Sequence, residues 1–188
     1  MTAKPSRAAA LELLQRHVKN PNMLKHARAA EVVLHALAQR LNADAEQWAL
    51  AGLLHDLDVE ITNADPNVHG TQAVALLEAF GLDPDSIDAI RRHNEISCGL
   101  KRSAPFHHAL AAGETITGLI TATALVYPDR KLASVKSSSI VKRMKEKAFA
   151  ASVSRETIRE CELIGIPLPE FAELALRAMQ TISAELGL

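Results

Sequence analysis

The chain has 188 residues, enough for one domain with a substantial core, and its 48% apolar and 23% charged content is that of a globular rather than a disordered protein. Lys and Arg (21) nearly cancel Asp and Glu (22), so no overall field recruits nucleic acid or an acidic membrane, and 3% aromatics are too few for a base-stacking platform. The two cysteines, Cys98 and Cys161, are isolated, which argues against a disulfide framework and a zinc ribbon and fits a reduced, cytoplasmic location.

Taken in chain order, apolar residues recur at three- and four-residue spacing over 8–18, 24–41, 45–57, 71–80, 86–96, 104–126, 140–150, 155–164 and 170–186, which predicts an all-α protein of about nine helices. Lys4 and Arg7 are charged, but Glu12 and Gln15 interrupt the apolar residues that follow, so no signal-peptide core is expected. Asn20-Pro21, Asp65-Pro66 and Asp83-Pro84 each set a capping side chain before a proline suited to the first helical turn, and Asp44 with Gln47 resembles a capping box. No apolar stretch reaches membrane-spanning length. Residues 128–139, with Lys131, Lys136 and three consecutive serines, read as a mobile loop and as the one boundary between a core and a C-terminal helical part.

The chemistry concentrates in Leu53-Leu54-His55-Asp56-Leu57-Asp58, where a histidine and carboxylates interrupt an apolar helical run. Burying either unpaired is costly, and a metal ion compensates both by taking imidazole nitrogen and carboxylate oxygen as ligands. His55 and Asp56 lie about 100° apart around a helix, so they share one ion only near a helix end, and Asp58 with Glu60 marks such an end. His26 would come from a packed neighbouring helix; His69 and His93 follow downstream. A mixed nitrogen and oxygen set suits Mn, Fe, Co, Ni or Zn, and Mg less. His17 and His35, in amphipathic helices without an evident carboxylate partner, are expected to pack or face solvent, and His107-His108 sit at a predicted helix start.

The ordered set His26, His55-Asp56 and a later acid resembles the HD superfamily of metal-dependent phosphohydrolases. The strings Leu53 to Glu60, His69-Gly70, Ala89-Ile90-Arg91-Arg92-His93-Asn94, Thr117 to Ala122 and Val141 to Glu156 are similar to a small stand-alone subfamily of it. The resemblance implies an HD-domain helical bundle: one domain over 1–188, with a core at roughly 20–127 and an extension over 128–188. It also implies a metal set of His26, His55, Asp56 and a final aspartate, where this chain has Glu114. The extra methylene displaces that carboxylate by roughly 1.5 Å. His69 and His93 correspond to the extra ligands of dinuclear members, in which Asp56 would bridge, so one or two divalent ions are implied. Asp56 and Asp58 are the acids expected to serve catalysis; Asp58 stands near where many relatives carry glycine and lysine, and Asp58 and Glu60 are alternatively acceptors that orient the histidines. Arg91, Arg92, Lys142 and Arg155 are the expected substrate-binding cations.

The activity implied is hydrolysis of a small phosphorylated metabolite or nucleotide, as monoester or diester, by metal-activated water. No GxSxG elbow, P-loop or GxGxxG offers another chemistry. A di-iron oxygenase and a degenerate metal-binding or regulatory module are the alternatives. Neither a nucleic-acid polymer nor a membrane is expected as partner, and a homo-oligomer is left open.

Overall fold

A computed structural model describes residues 5–188, so Lys4 lies outside the described residues. They form eleven α-helices and no strand: α1 (Arg7–His17), α2 (Pro21–Leu41), α3 (Ala45–Leu54), α4 (Ala73–Phe80), α5 (Pro84–His93), α6 (Glu95–Cys98), α7 (Pro105–Leu125), α8 (Ser137–Arg143), α9 (Arg155–Arg159), α10 (Leu168–Gln180) and α11 (Ser183–Leu186). Two 3-10 turns, Leu132–Ser134 and Glu160–Ile164, complete the set. The count exceeds nine because two apolar patterns run across real breaks. Asn94 leaves helical geometry and accepts the amide of Ile96, splitting α6 from α5, and the chain turns between Gln180 and Ser183.

The two 21-residue helices, α2 and α7, are each about 30 Å long and pack together at the centre. Around them lie α3, α5 and α10, closing a core that includes Leu34, Leu37, Leu53, Leu54, Ile90, Leu110, Ile116, Leu119 and Phe171. Trp48 stacks on Phe106 with ring centroids 4.7 Å apart. The caps of α2 and α5 follow the sequence: Asn20 accepts from the Asn22 amide, and Asp83 from those of Asp85 and Ser86. Asp44 accepts the Gln47 amide, but the Gln47 side chain reaches Asp83 instead of closing a box.

Asp65-Pro66 does not start a helix. Residues 55–72 are a succession of turns, Asp65 accepts the Asn67 amide, and α4 begins at Ala73. The helix expected over 140–150 is α8 shifted towards the N-terminus, followed by turns. The Arg155 guanidinium holds those turns by donating to the carbonyls of Phe149, Ala150 and Val153. Residues 128–139, expected as a mobile loop, are pinned: Leu132 and Val135 are buried, Gln180 donates to the Leu132 carbonyl at 2.9 Å, and Tyr127 bonds Ser139.

Candidate metal centre

Close contact between α2 and α3 builds the site. A Cβ on Gly52 would lie 2.7 Å from the carbonyl oxygen of Ala30, so only glycine lets α3 approach the α2 backbone this closely. That approach brings His55, at the C-cap of α3, against His26, one turn before Ala30. His69 comes from the turns after α3, His93 from the last residue of α5, and Glu114 from the middle of α7.

Each of four imidazoles has its Nδ1 committed to an acceptor. His55 Nδ1 donates to the Gly52 carbonyl at 2.8 Å, and His93 Nδ1 to the Ile90 carbonyl at 2.5 Å. His69 Nδ1 donates to the Asp58 carboxylate at 2.7 Å. Thr117 directs its hydroxyl proton to the Glu114 carbonyl, so its oxygen accepts from His26 Nδ1 at 3.0 Å. The second nitrogens therefore converge: His26 Nε2 faces His55 Nε2 at 3.1 Å, and His69 Nε2 faces His93 Nε2 at 3.1 Å. Asp56 sits between the two couples, 3.0 Å from His69 Nε2, 3.2 Å from His55, 3.5 Å from His26 and 3.7 Å from His93. Glu114 Oε2 reaches to 3.7 Å from His26 Nε2, so the longer carboxylate ends in the cluster.

Neutral rings would present lone pairs to one another across these short gaps, so a cation belongs between them. Without metal, protons serve. Burial holds His26 and His93 down at about 4. At His55 and His69 burial acts in the same direction but is outweighed by Asp56, joined at His69 by Asp58, and these two rise to about 9 and about 10. Burial would raise Asp56, yet the His55 charge and the hydrogen bonds from His55 and His69 keep it well below the usual carboxylate range. Burial lifts Glu114 to about 7. The donors fall into two triads, His26 with His55 and Glu114, and Asp56 with His69 and His93, and within each the ligand atoms lie within 4.8 Å of one another. Four imidazoles with fixed tautomers and two carboxylates fit first-row divalent ions.

Asp58, expected among the catalytic acids, is fully buried behind His69. Its oxygens take the amides of Gly70 and Ala73 as well as His69 Nδ1, so it orients the ring and caps α4. Gly70, at φ +91°, holds a conformation that favours glycine, and a Cβ there would lie 3.0 Å from the His93 ring and push on it. Glu60 accepts the amides of Lys19 and Asn20, tying the α1–α2 connection to the turns after α3 rather than orienting a histidine.

A cleft of about 480 Å³ opens over the cluster, bordered by His26, His93, Glu114, Asn94, Arg102 and Ser154 among others. None of the four expected cations lines it. Arg92 bonds Asp88 and the Lys101 carbonyl, Arg155 holds backbone carbonyls, Lys142 is exposed on α8, and Arg91 lies on α5 away from the cleft. The cation that does line it is Arg102, which chelates Glu160 and donates to the carbonyls of Arg92 and His93. His107 approaches Asp88 and His108 bonds Glu160; neither borders the cleft. Sequence reasoning missed Arg102, Thr117, Asn94 and Ser97, the last two fixing the His69 carbonyl. Only the residues beside the motifs, Asn94 next to His93 and Thr117 three after Glu114, gave any signal.

The fold is thus an all-helical bundle with a buried His and carboxylate cluster, able to hold a metal ion, under an open cleft. Residues 23–122 match the HD domain, and the chain belongs to that family, whose members are usually metal-dependent hydrolases. The chain is also similar to Ribonuclease Y of Chlorobaculum tepidum, 30% identical over 77 residues. That match covers 41% of this chain and 14% of the ribonuclease, so the chain spans a small part of that relative's length. No solved structure matches. No helix among the described residues is long and apolar enough to cross a membrane.

Proposed function

We propose that this chain is a metal-dependent phosphohydrolase acting on a small phosphorylated metabolite or nucleotide, with His26, His55, Asp56, His69, His93 and Glu114 holding one or two divalent ions. The observation that carries it is the convergence of four Nε2 atoms on Asp56, each ring oriented by a hydrogen bond at Nδ1. Mn, Fe, Co, Ni or Zn bound there would polarise a phosphoryl oxygen and acidify a water, supplying a nucleophile that the side chains themselves lack.

The residues of the chain do the rest. Asp58 and the carbonyls of Gly52 and Ile90 keep the imidazoles from rotating, and Asp56 offsets the charge gathered between them. Burial at the end of α3 excludes bulk water from around His55, while the cleft admits substrate beside His26, His93 and Glu114. The whole chain is read as one domain over 1–188, working in the cytoplasm. The similarity to a protein named a ribonuclease, which cleaves a phosphate ester bond, supports the reaction class and not its substrate.

The test strips the protein of metal, reloads it with each of the five ions in turn and assays aryl phosphate monoesters and diesters. Metal-dependent turnover that disappears in Asp56→Ala is expected. Oxygen uptake with an iron-dependent visible band would select the oxygenase instead, and an inert, metal-poor protein would select the regulatory module.

A further inference from the structure

His93 is the last residue of α5, and that helix is closed differently from α2 and α4. Asn42 and Gly81 end those two in the left-handed conformation, with a backbone N–H turned back to the last carbonyls, whereas Asn94 is extended at φ −110° and ψ 92°. The final carbonyls of α5 therefore need partners from elsewhere, since leaving them enclosed and unpaired is costly. The Ile90 carbonyl takes His93 Nδ1, and the carbonyls of Arg92 and His93 both take Nη1 of Arg102, at 3.1 Å each. A cation at this end also complements the helix dipole.

The other edge of the same guanidinium meets a carboxylate from far along the chain. Nε and Nη2 donate to Glu160 at 2.8 and 2.7 Å, and Glu160 also accepts from His108 Nδ1 at 2.7 Å, which ties it to α7. The Arg102 side chain is 11% exposed and that of Glu160 16%, so the pair meets with little water around it. The backbone that carries Arg102 is fixed as well: its amide donates to Glu95, and the amides of Ser103 and Ala104 donate to His107 Nδ1. All but one of the guanidinium N–H groups thus have a partner, which leaves Arg102 little to offer a phosphoryl group and much to offer the position of α5.

Resting on the metal-binding part of the reading above, we infer that Arg102 and Glu160 form a positioning clamp, through which the part of the chain beyond the matched residues 23–122 sets the place of the His93 imidazole. The bond from Nδ1 to the Ile90 carbonyl fixes the ring relative to α5, and the clamp fixes the end of α5 relative to α7 and the 3-10 turn at Glu160. The tolerance on a metal–ligand bond is about 0.2 Å, so a small tilt of that helix end is felt at the ion. Neither residue touches the reacting atoms. Both act through His93.

The test titrates full-length protein with cobalt(II), whose visible absorption reports its ligands, or, where cobalt is not retained, with whichever of the other four ions is. Arg102→Lys keeps the charge but loses the planar fork, and should weaken metal binding about tenfold and shift the cobalt bands; Glu160→Gln, which removes the charge that orients the fork, should weaken it about threefold. In a His93→Ala background neither substitution should weaken binding further, because the residue they act through is gone. A purely structural role would instead lower the melting temperature and leave metal affinity unchanged. Wild-type affinity in either variant, or the same further loss in the His93→Ala background, overturns the clamp and leaves the metal centre standing; if Arg102→Lys does not fold, Glu160→Gln decides. A wild type that retains none of the five ions overturns both.

Discussion

The Nε2 atoms of His26 and His55 stand 3.1 Å apart, and as neutral rings neither has a proton to place between them, because Thr117 and the Gly52 carbonyl already occupy both Nδ1 positions. His69 and His93 repeat the relationship at 3.1 Å. In metal-free protein one proton per couple resolves it, on His55 (about 9) and His69 (about 10), with His26 and His93 neutral at about 4.

Filling both triads at pH 7 should therefore release about two protons from His55 and His69 and a further fraction from Glu114, and filling one triad about half as many, because the ligand atoms must be free. Calorimetric titration in buffers of different ionisation enthalpy counts them. A release near zero would mean that the imidazoles of the metal-free protein are not arranged this way.

The same pairs set a stability maximum for metal-free protein near pH 6.5, the unfolded histidine value. His55 and His69 are raised, so their contribution is complete below 6.5 and is lost as pH climbs towards 9 and 10. His26 and His93 are lowered, so theirs is complete above 6.5 and is lost as pH falls towards 4, with the depressed Asp56 adding to the loss at lower pH still. Urea midpoints from pH 4 to 10 should trace a dome, and saturating metal should flatten its alkaline side. A midpoint rising steadily to pH 9 would contradict the assignment.

Asp58→Asn should cost about 1–3 kcal/mol of stability and weaken metal binding together. The amide keeps one acceptor oxygen but turns an NH2 towards donors that now all point at the carboxylate: the amides of Gly70 and Ala73 and His69 Nδ1. Chemical denaturation and metal titration check the pair. Loss of turnover with neither stability nor metal affinity changed would make Asp58 a direct catalyst instead.

Glu114 is where the chain departs from the resemblance, and its Oε2 already lies 3.7 Å from His26 Nε2. The pocket is fitted to the longer arm, so Glu114→Asp should lower metal affinity, by an amount comparable to Glu114→Gln. Metal titration compares the three. Tighter binding by the aspartate variant would show that the longer arm is strained, and identical binding by all three would remove Glu114 from the metal set.

The sequence carried the order of the six side chains and most helix starts, because proline and capping residues act locally: Asn20-Pro21 and Asp83-Pro84 open α2 and α5 where they stand. It did not carry the break at Asn94, since neither proline nor glycine stands between Ser86 and Ile96 to mark it and an asparagine alone does not end a helix. Nor did it show which cations are free. Arg155 reads as a phosphate ligand until the turns of residues 149–153 supply carbonyls for it, and Arg102 reads as ordinary surface until Glu160 folds back from more than fifty residues away. Asp58 could be read either way, and the decision lies with Gly70 and Ala73, which reach it only through the turns of residues 55–72.

The most direct measurement is the metal content of dialysed wild type and Asp56→Ala by plasma emission, after incubation with each of Mn, Fe, Co, Ni and Zn. Asp56 is the residue that approaches all four Nε2 atoms, so the wild type should retain one to two equivalents of at least one ion and the variant less than about a tenth of that. Equal content in the two proteins, or a wild type that retains none of the five, would contradict the metal centre and the phosphohydrolase reading built on it.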